Sequence, residues 1–111
     1  GQLKSHYAPR CPVAVVDDPQ AKAMQAVAQG KAARVGVLLY CKPTEDVVAA
    51  NPKLVLRWLS EAGEPTQAAA NLFAMLHQFD AEAVERIYAP RIEGGGLNAA
   101  IADRLRRASH E

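Results

Sequence analysis

Pro12-Val13-Ala14-Val15-Val16-Asp17-Asp18-Pro19 decides the fold, because it joins an almost wholly apolar run directly to a helix start. Consecutive apolar residues closed by acidic ones are the pattern of a short strand buried on both faces. Asp18 then stands as N-cap before Pro19 at the first helical position, and Ala21, Met24, Val27 and Ala28 recur at three-and-four spacing until Gly30 offers a stop. A second apolar run, Arg34 to Tyr40, follows at once. The result is a strand-helix-strand unit of about thirty residues, which predicts parallel pairing of its two strands through a right-handed crossover.

Downstream, Thr44 caps a short helix through Ala50 that Asn51-Pro52 ends, and Lys53 to Leu59 reads as a third strand despite carrying Arg57. Trp58 reads as packing. Gly63-Glu64-Pro65-Thr66 opens the clearest helix, with Ala69, Leu72, Phe73, Leu76 and Phe79 in one apolar stripe. Val84 to Ala89 supplies a fourth, short strand, and Gly94-Gly95-Gly96 leads into a last helix that buries Leu97, Ala100, Ile101, Leu105 and Ala108. This alternation predicts a small three-layer α/β domain with a mostly parallel sheet of about four strands. Upstream, residues 1–10 show neither period, and Pro9 and Pro12 bias Ala8 and Cys11 toward extended backbone. The expected organisation is an arm over residues 1–10 and a domain over residues 11–111.

The chain has 111 residues, of which 22 are alanine, leaving 33 larger apolar side chains for an interior. That is enough for one compact core without staples or metals. Thirteen basic residues against twelve acidic ones exclude a surface built throughout to attract polyanions. No run approaches the ~18 consecutive apolar residues of a membrane span, and no leader with a charged and then an apolar region opens the chain, so the expected place is the cytoplasm. Cys11 and Cys41 lack a metal-ligand spacing and fall most of a strand apart, beyond the ~7 Å that bridged Cα atoms allow. Two reduced thiols are expected.

Three features carry possible chemistry. Gly94-Gly95-Gly96-Leu97-Asn98-Ala99 fits the permissive form G-x-G-x-x-A before a helix, whose amides could hold a phosphate. A dinucleotide fingerprint, however, follows the first strand and precedes another, whereas this one sits near the chain's end. Arg104, Arg106 and Arg107 form the densest basic cluster, a pattern that also suits a solvated helix end opposing the dipole. His6, His77 and His110 are scattered, with His77 three residues from Asp80, and no nucleophile motif accompanies them. No catalytic constellation and no metal site emerges. The arm is different, because His6-Tyr7-Ala8-Pro9-Arg10 offers an imidazole, a phenol and a guanidinium, each able to bind a nucleotide or phosphate.

Gln2-Leu3-Lys4-Ser5-His6-Tyr7-Ala8-Pro9-Arg10 resembles the linker of two-domain L-threonylcarbamoyladenylate synthases, typically Ser-Pro-Gly, a few variable residues and His-Tyr-Ala-Pro. The run Gly96 to Ala108 resembles that family's closing pattern, Gly-Leu…Ala-Ile…Asn/Asp-Arg-Leu…Arg-Ala. Ala69-Ala70-Asn71-Leu72-Phe73-Ala74-Met75-Leu76 followed by Asp80 resembles its central helix, with His77 where arginine is common. The resemblance implies a Rossmann-like C-terminal accessory domain with its interdomain linker. It implies as partner a YrdC-like catalytic domain of the same chain, which is not among these residues. There ATP, with Mg, would react with threonine and bicarbonate to give threonylcarbamoyl-AMP, the donor for modifying adenosine beside the anticodon of tRNA. His6, Tyr7 and Arg10 would contact the nucleotide or the intermediate while the accessory domain braces the linker and performs no catalysis. The resemblance also implies a segment of a longer chain, without direct tRNA contact. A stand-alone nucleotide- or tRNA-binding module, using the glycine turn and the terminal arginines, is the alternative.

Overall fold

The computed structural model describes residues 9–44 and 51–109. His6, Tyr7, His110 and all but the first residue of the helix expected over Thr44 to Ala50 lie outside them. Among the described residues, four strands, β1 (Val13–Val16), β2 (Val35–Cys41), β3 (Leu54–Ser60) and β4 (Arg86–Pro90), form one sheet, flanked by three helices, α1 (Pro19–Ala28), α2 (Pro65–Ala81) and α3 (Leu97–Ser109). Every pairing is parallel, in the order β1-β4-β2-β3.

The order corrects one expectation. β1 and β2 are not neighbours, because β4 inserts between them, pairing Val13 with Ile87 on one side and Val35 with Arg86 on the other. Burial explains the choice. Ile87, Tyr88 and Ala89 are all buried in β4, as a central strand requires, whereas only Val13 is fully buried in β1. The first strand, apolar as it is, forms an edge.

Alternation along each strand divides the core in two. Val13, Leu38, Val55, Leu59, Ile87 and Ala89 face Leu72, Leu76 and Phe79 of α2 and Ile101 and Leu105 of α3. Val35, Val37, Leu54, Leu56 and Tyr88 face Ala23 and Ala26 of α1. Helices on both faces of a parallel sheet make the three layers.

Each helix has a local cause. Asp18 Oδ1 accepts the Ala21 N–H at 3.1 Å and caps α1, with Pro19 in the first turn. Gly30, at φ 71°, closes α1 in a Schellman turn: its N–H reaches the Val27 carbonyl at 3.0 Å, and the Lys31 N–H the Ala26 carbonyl at 2.9 Å. The buried face of α1 is Ala23 and Ala26, however, while Met24 is 41% exposed and Ala21 and Ala28 are exposed too. In so alanine-rich a helix the small residues meet the sheet closely, and the bulkier methionine gave a misleading phase. In α3, likewise, Ile101 and Leu105 are buried but Leu97 (44%) and Ala100 are exposed, since the helix meets the sheet only after its first turn.

Glu64 caps α2 by accepting the Gln67 N–H at 2.9 Å. Ser60, 1% exposed at the end of β3, ties strand to helix, accepting the Glu64 N–H at 2.8 Å and donating to Gln67 Oε1 at 2.7 Å. Arg57 fits on an edge strand because its guanidinium reaches the end of α2, donating to Gln78 Oε1 at 2.8 Å and Glu82 Oε2 at 2.9 Å. Trp58 is half-buried against the second core cluster, as its packing role requires.

Candidate functional site

In a parallel sheet the two ends differ, and the sequence candidates fall at opposite ones. The arm enters at the amino ends of β1 and β4. Pro9 is buried, the Arg10 N–H donates to Asp80 Oδ1 at 3.1 Å, and the Pro12 carbonyl accepts the Ile87 N–H at 2.9 Å. The backbone is therefore fixed from Arg10 onward. The Arg10 side chain is exposed over a cavity of about 320 Å³ shared with Cys11, Asp80, Ala83 and Val84. Cys11 is half-buried against the first core cluster, and burial, then the Asp80 carboxylate, push its thiol above the ordinary range against a smaller opposing backbone hydrogen bond. Both cysteines are free thiols, and β4 stands between their strands.

The glycine turn lies at the carboxyl ends, after β4 and before α3. Gly94 and Gly96 have φ of 109° and 61°, values that a side chain would strain. Asn98 holds the turn, donating from Nδ2 to the Glu93 carbonyl at 3.4 Å and accepting the Tyr40 hydroxyl at 2.6 Å. Gly94 lines a crevice of about 460 Å³ with Val15, Arg91, Ile92, Asp103 and Arg106. Arg91 separates it from a second hollow above α1 and pairs with Asp17 at 2.7 Å. Open α/β sheets receive ligands at such a place, where the loops after adjacent strands run to opposite faces.

Of the terminal arginines only Arg106 reaches this crevice. It pairs with Asp103, as does Arg107 at 2.9 Å, whereas Arg104 lies over the Phe73 ring at 4.7 Å on the α2 side. Exposed pairs of this kind are those of a solvated helix end. His77 is exposed on α2. Among the described residues no three His, Cys, Asp or Glu side chains gather where a metal could be held, and no helix is long and apolar enough to cross a membrane.

The sequence assigned no role to Asp80, which entered only as a neighbour of His77 and as part of the central-helix motif, and none to the pair Asp17 and Arg91. The latter was hidden by the strand order. Asp80 had a signal: an acid in the last turn of a helix opposes the dipole, and such a residue needs a reason.

Fold and site together define a small Rossmann-like α/β domain with a pinned N-terminal lead-in. The chain belongs to the threonylcarbamoyl-AMP synthase C-terminal domain family, which matches residues 1–110. Among solved structures it is similar to the one described as "Crystal structure of P. abyssi Sua5 complexed with L-threonine", at a TM-score of 0.65 and 28% identity. That match covers 94% of this chain and 29% of the other, so this chain spans less than a third of that protein's length. A comparison with curated proteins gives no match.

Proposed function

We propose that this chain is the accessory domain and active-site-covering linker of a two-domain L-threonylcarbamoyladenylate synthase acting in tRNA modification in the cytoplasm. The catalytic domain joins ATP, threonine and bicarbonate into threonylcarbamoyl-AMP with release of pyrophosphate. ATP and Mg belong to that domain, and the present residues serve it without catalysing. The observation that carries this reading is the arm's rigid root. Pro9 is buried and the Arg10 amide is bonded to α2, while the family match extends back to residue 1.

The physical logic is that of a tethered lid. A mixed carbamic-phosphoric anhydride hydrolyses in water, so a cover that excludes solvent preserves it. A covalent tether presents that cover at an effective concentration of order millimolar, at which even weak contacts close it. The fixed root also limits where the cleft can lie. Tyr7 lies three positions before Arg10, and three extended residues span at most about 11 Å. If Tyr7 touches the nucleotide, the amino ends of β1 and β4 must stand close to the cleft, and that proximity is what a brace provides.

The test is Tyr7→Ala in the two-domain protein. Product formation should fall while the unfolding of this domain stays unchanged; undiminished turnover would reduce the arm to a spacer. The crevice that joins Gly94, Arg91 and Arg106 favours the second reading, a binding module in its own right. Titrating the 111-residue chain with ATP and with tRNA at moderate salt separates the two, because a brace without its cleft binds both poorly.

A further inference from the structure

We infer that Asp80 is the positioning residue of the arm: its carboxylate fixes the point at which the chain leaves the domain, and through it the register of Tyr7. The inference rests on the lid reading for its functional half only. The anchor stands on geometry alone.

Three observations converge on Asp80. Its Oδ1 accepts the Arg10 N–H at 3.1 Å, across seventy residues of sequence. Among the described residues this side-chain bond ties the arm's backbone to α2, just before Cys11 packs against the core cluster and Pro12 joins the β4 ladder. Second, Asp80 stands in the last turn of α2, which ends at Ala81 and has no basic residue there. A carboxylate at that end opposes the dipole, and aspartate is a poor helix former, so helix stability does not account for it. The other acid at this end, Glu82, is held by Arg34 at 2.8 Å and Arg57 at 2.9 Å and does not bond the arm's backbone. Third, the neighbouring Ala83 has φ 58°, a left-handed conformation that alanine avoids. It turns the chain away at the rim of the cavity where Arg10 sits. Local rules are broken twice within four residues, at the place where the arm docks, and such conflicts mark functional positions.

Trypsin reads the anchor directly in the 111-residue chain. The Arg10-Cys11 bond lies at the root, and the Lys4-Ser5 bond is an internal reference on the arm. Asp80→Ala should raise cleavage after Arg10, relative to Lys4, by roughly tenfold or more, the effect of losing one hydrogen bond to a charged acceptor. Asp80→Asn keeps an oxygen that accepts the same N–H and should lie well below Asp80→Ala, between it and the parent. Equal ratios in all three proteins overturn the anchor. Should the alanine variant fail to fold, hydrogen exchange decides in the unaltered chain, where an Arg10 amide exchanging at the unprotected rate overturns it equally.

In the two-domain enzyme, Asp80→Ala should lower kcat/KM for threonine in the synthesis of threonylcarbamoyl-AMP several-fold, with Asp80→Asn restoring it. Combining Asp80→Ala with Tyr7→Ala should add little to Tyr7→Ala alone. Loss of activity in Tyr7→Ala but none in Asp80→Ala overturns the positioning role and leaves the lid. No loss in Tyr7→Ala overturns the lid, while a shifted cleavage ratio still supports the anchor.

Discussion

Gly36→Ala tests whether the end of α2 is seated as tightly as the anchor requires. Gly36 lies in β2 under the ring of Phe79, the residue immediately before Asp80. A Cβ there would stand 2.7 Å and 2.8 Å from Phe79 Cδ1 and Cε1 and 3.2 Å from Ile87 Cγ1. Carbon atoms in contact prefer about 3.5–4.0 Å, so the ring must retreat by most of an ångström. Phe79 and Ile87 are both fully buried and have nowhere open to go. Overpacking of this kind costs about 1–3 kcal/mol, and the lower entropy of an unfolded chain carrying alanine returns about 0.4–1 kcal/mol. The net loss is about 1–2 kcal/mol, which in a domain of this size lowers Tm by roughly 5–15 °C. Urea unfolding followed by circular dichroism should show a lower midpoint at unchanged slope. Adding Phe79→Leu should recover part of the loss, since the two sites are in contact and their effects are not additive. A Gly36→Ala protein as stable as the parent would refute the close approach of helix to sheet, and with it the rigid seating of Asp80.

Ser60→Ala leaves the Glu64 N–H without its acceptor in a buried corner and should destabilise by about 1–3 kcal/mol, measured by the same unfolding curves. Ala83→Gly relieves a left-handed alanine and should stabilise by about 1 kcal/mol, a gain that calorimetry would register as a higher Tm. Alkylation by iodoacetamide should modify half-buried Cys11 more slowly than exposed Cys41 at neutral pH. Burial and the Asp80 carboxylate both disfavour the Cys11 thiolate, so Asp80→Asn should move the Cys11 rate profile to lower pH while burial still holds it above the ordinary thiol range.

The strands and helices were legible because each is bounded by chemistry that acts locally. Asp18 with Pro19, Glu64 with Pro65, and Gly30 each name a helix end without reference to the rest of the molecule. What stayed hidden depends on partners distant in sequence. The place of β4 between β1 and β2 follows from how much of each strand is buried, and a run such as Val13 to Val16 reads as interior whether it becomes an edge or a centre. The phases of α1 and α3 depart from their apolar periodicity for a related reason: where alanines approach a sheet closely, the larger side chains Met24 and Leu97 are left outside. His6, Tyr7 and Arg10 are nominated by residue type alone, and the arm's point of attachment is not legible locally, because Asp80 lies seventy residues away and its misfit with the helix dipole does not name a partner.

The parallel sheet also separates two roles that the sequence left side by side. The arm is held at the amino ends of the strands and the glycine turn at their carboxyl ends, roughly 17 Å apart along a five-residue strand such as β4. One ligand of ordinary size bound in the crevice of Arg91 and Gly94 therefore cannot touch the root of the arm, and any influence between the ends must pass through β1 and β4. Those strands are hydrogen-bonded to each other along their length and packed against α2 and α3, so they hold their shape when a side chain at one end changes. Bracing requires stiffness at one end of the sheet only. Substituting Arg91 should thus leave the arm's tryptic cleavage ratio unchanged, whereas Asp80→Ala shifts it. A ratio that moved equally with both would mean that the two ends are coupled, and that this domain senses as well as supports.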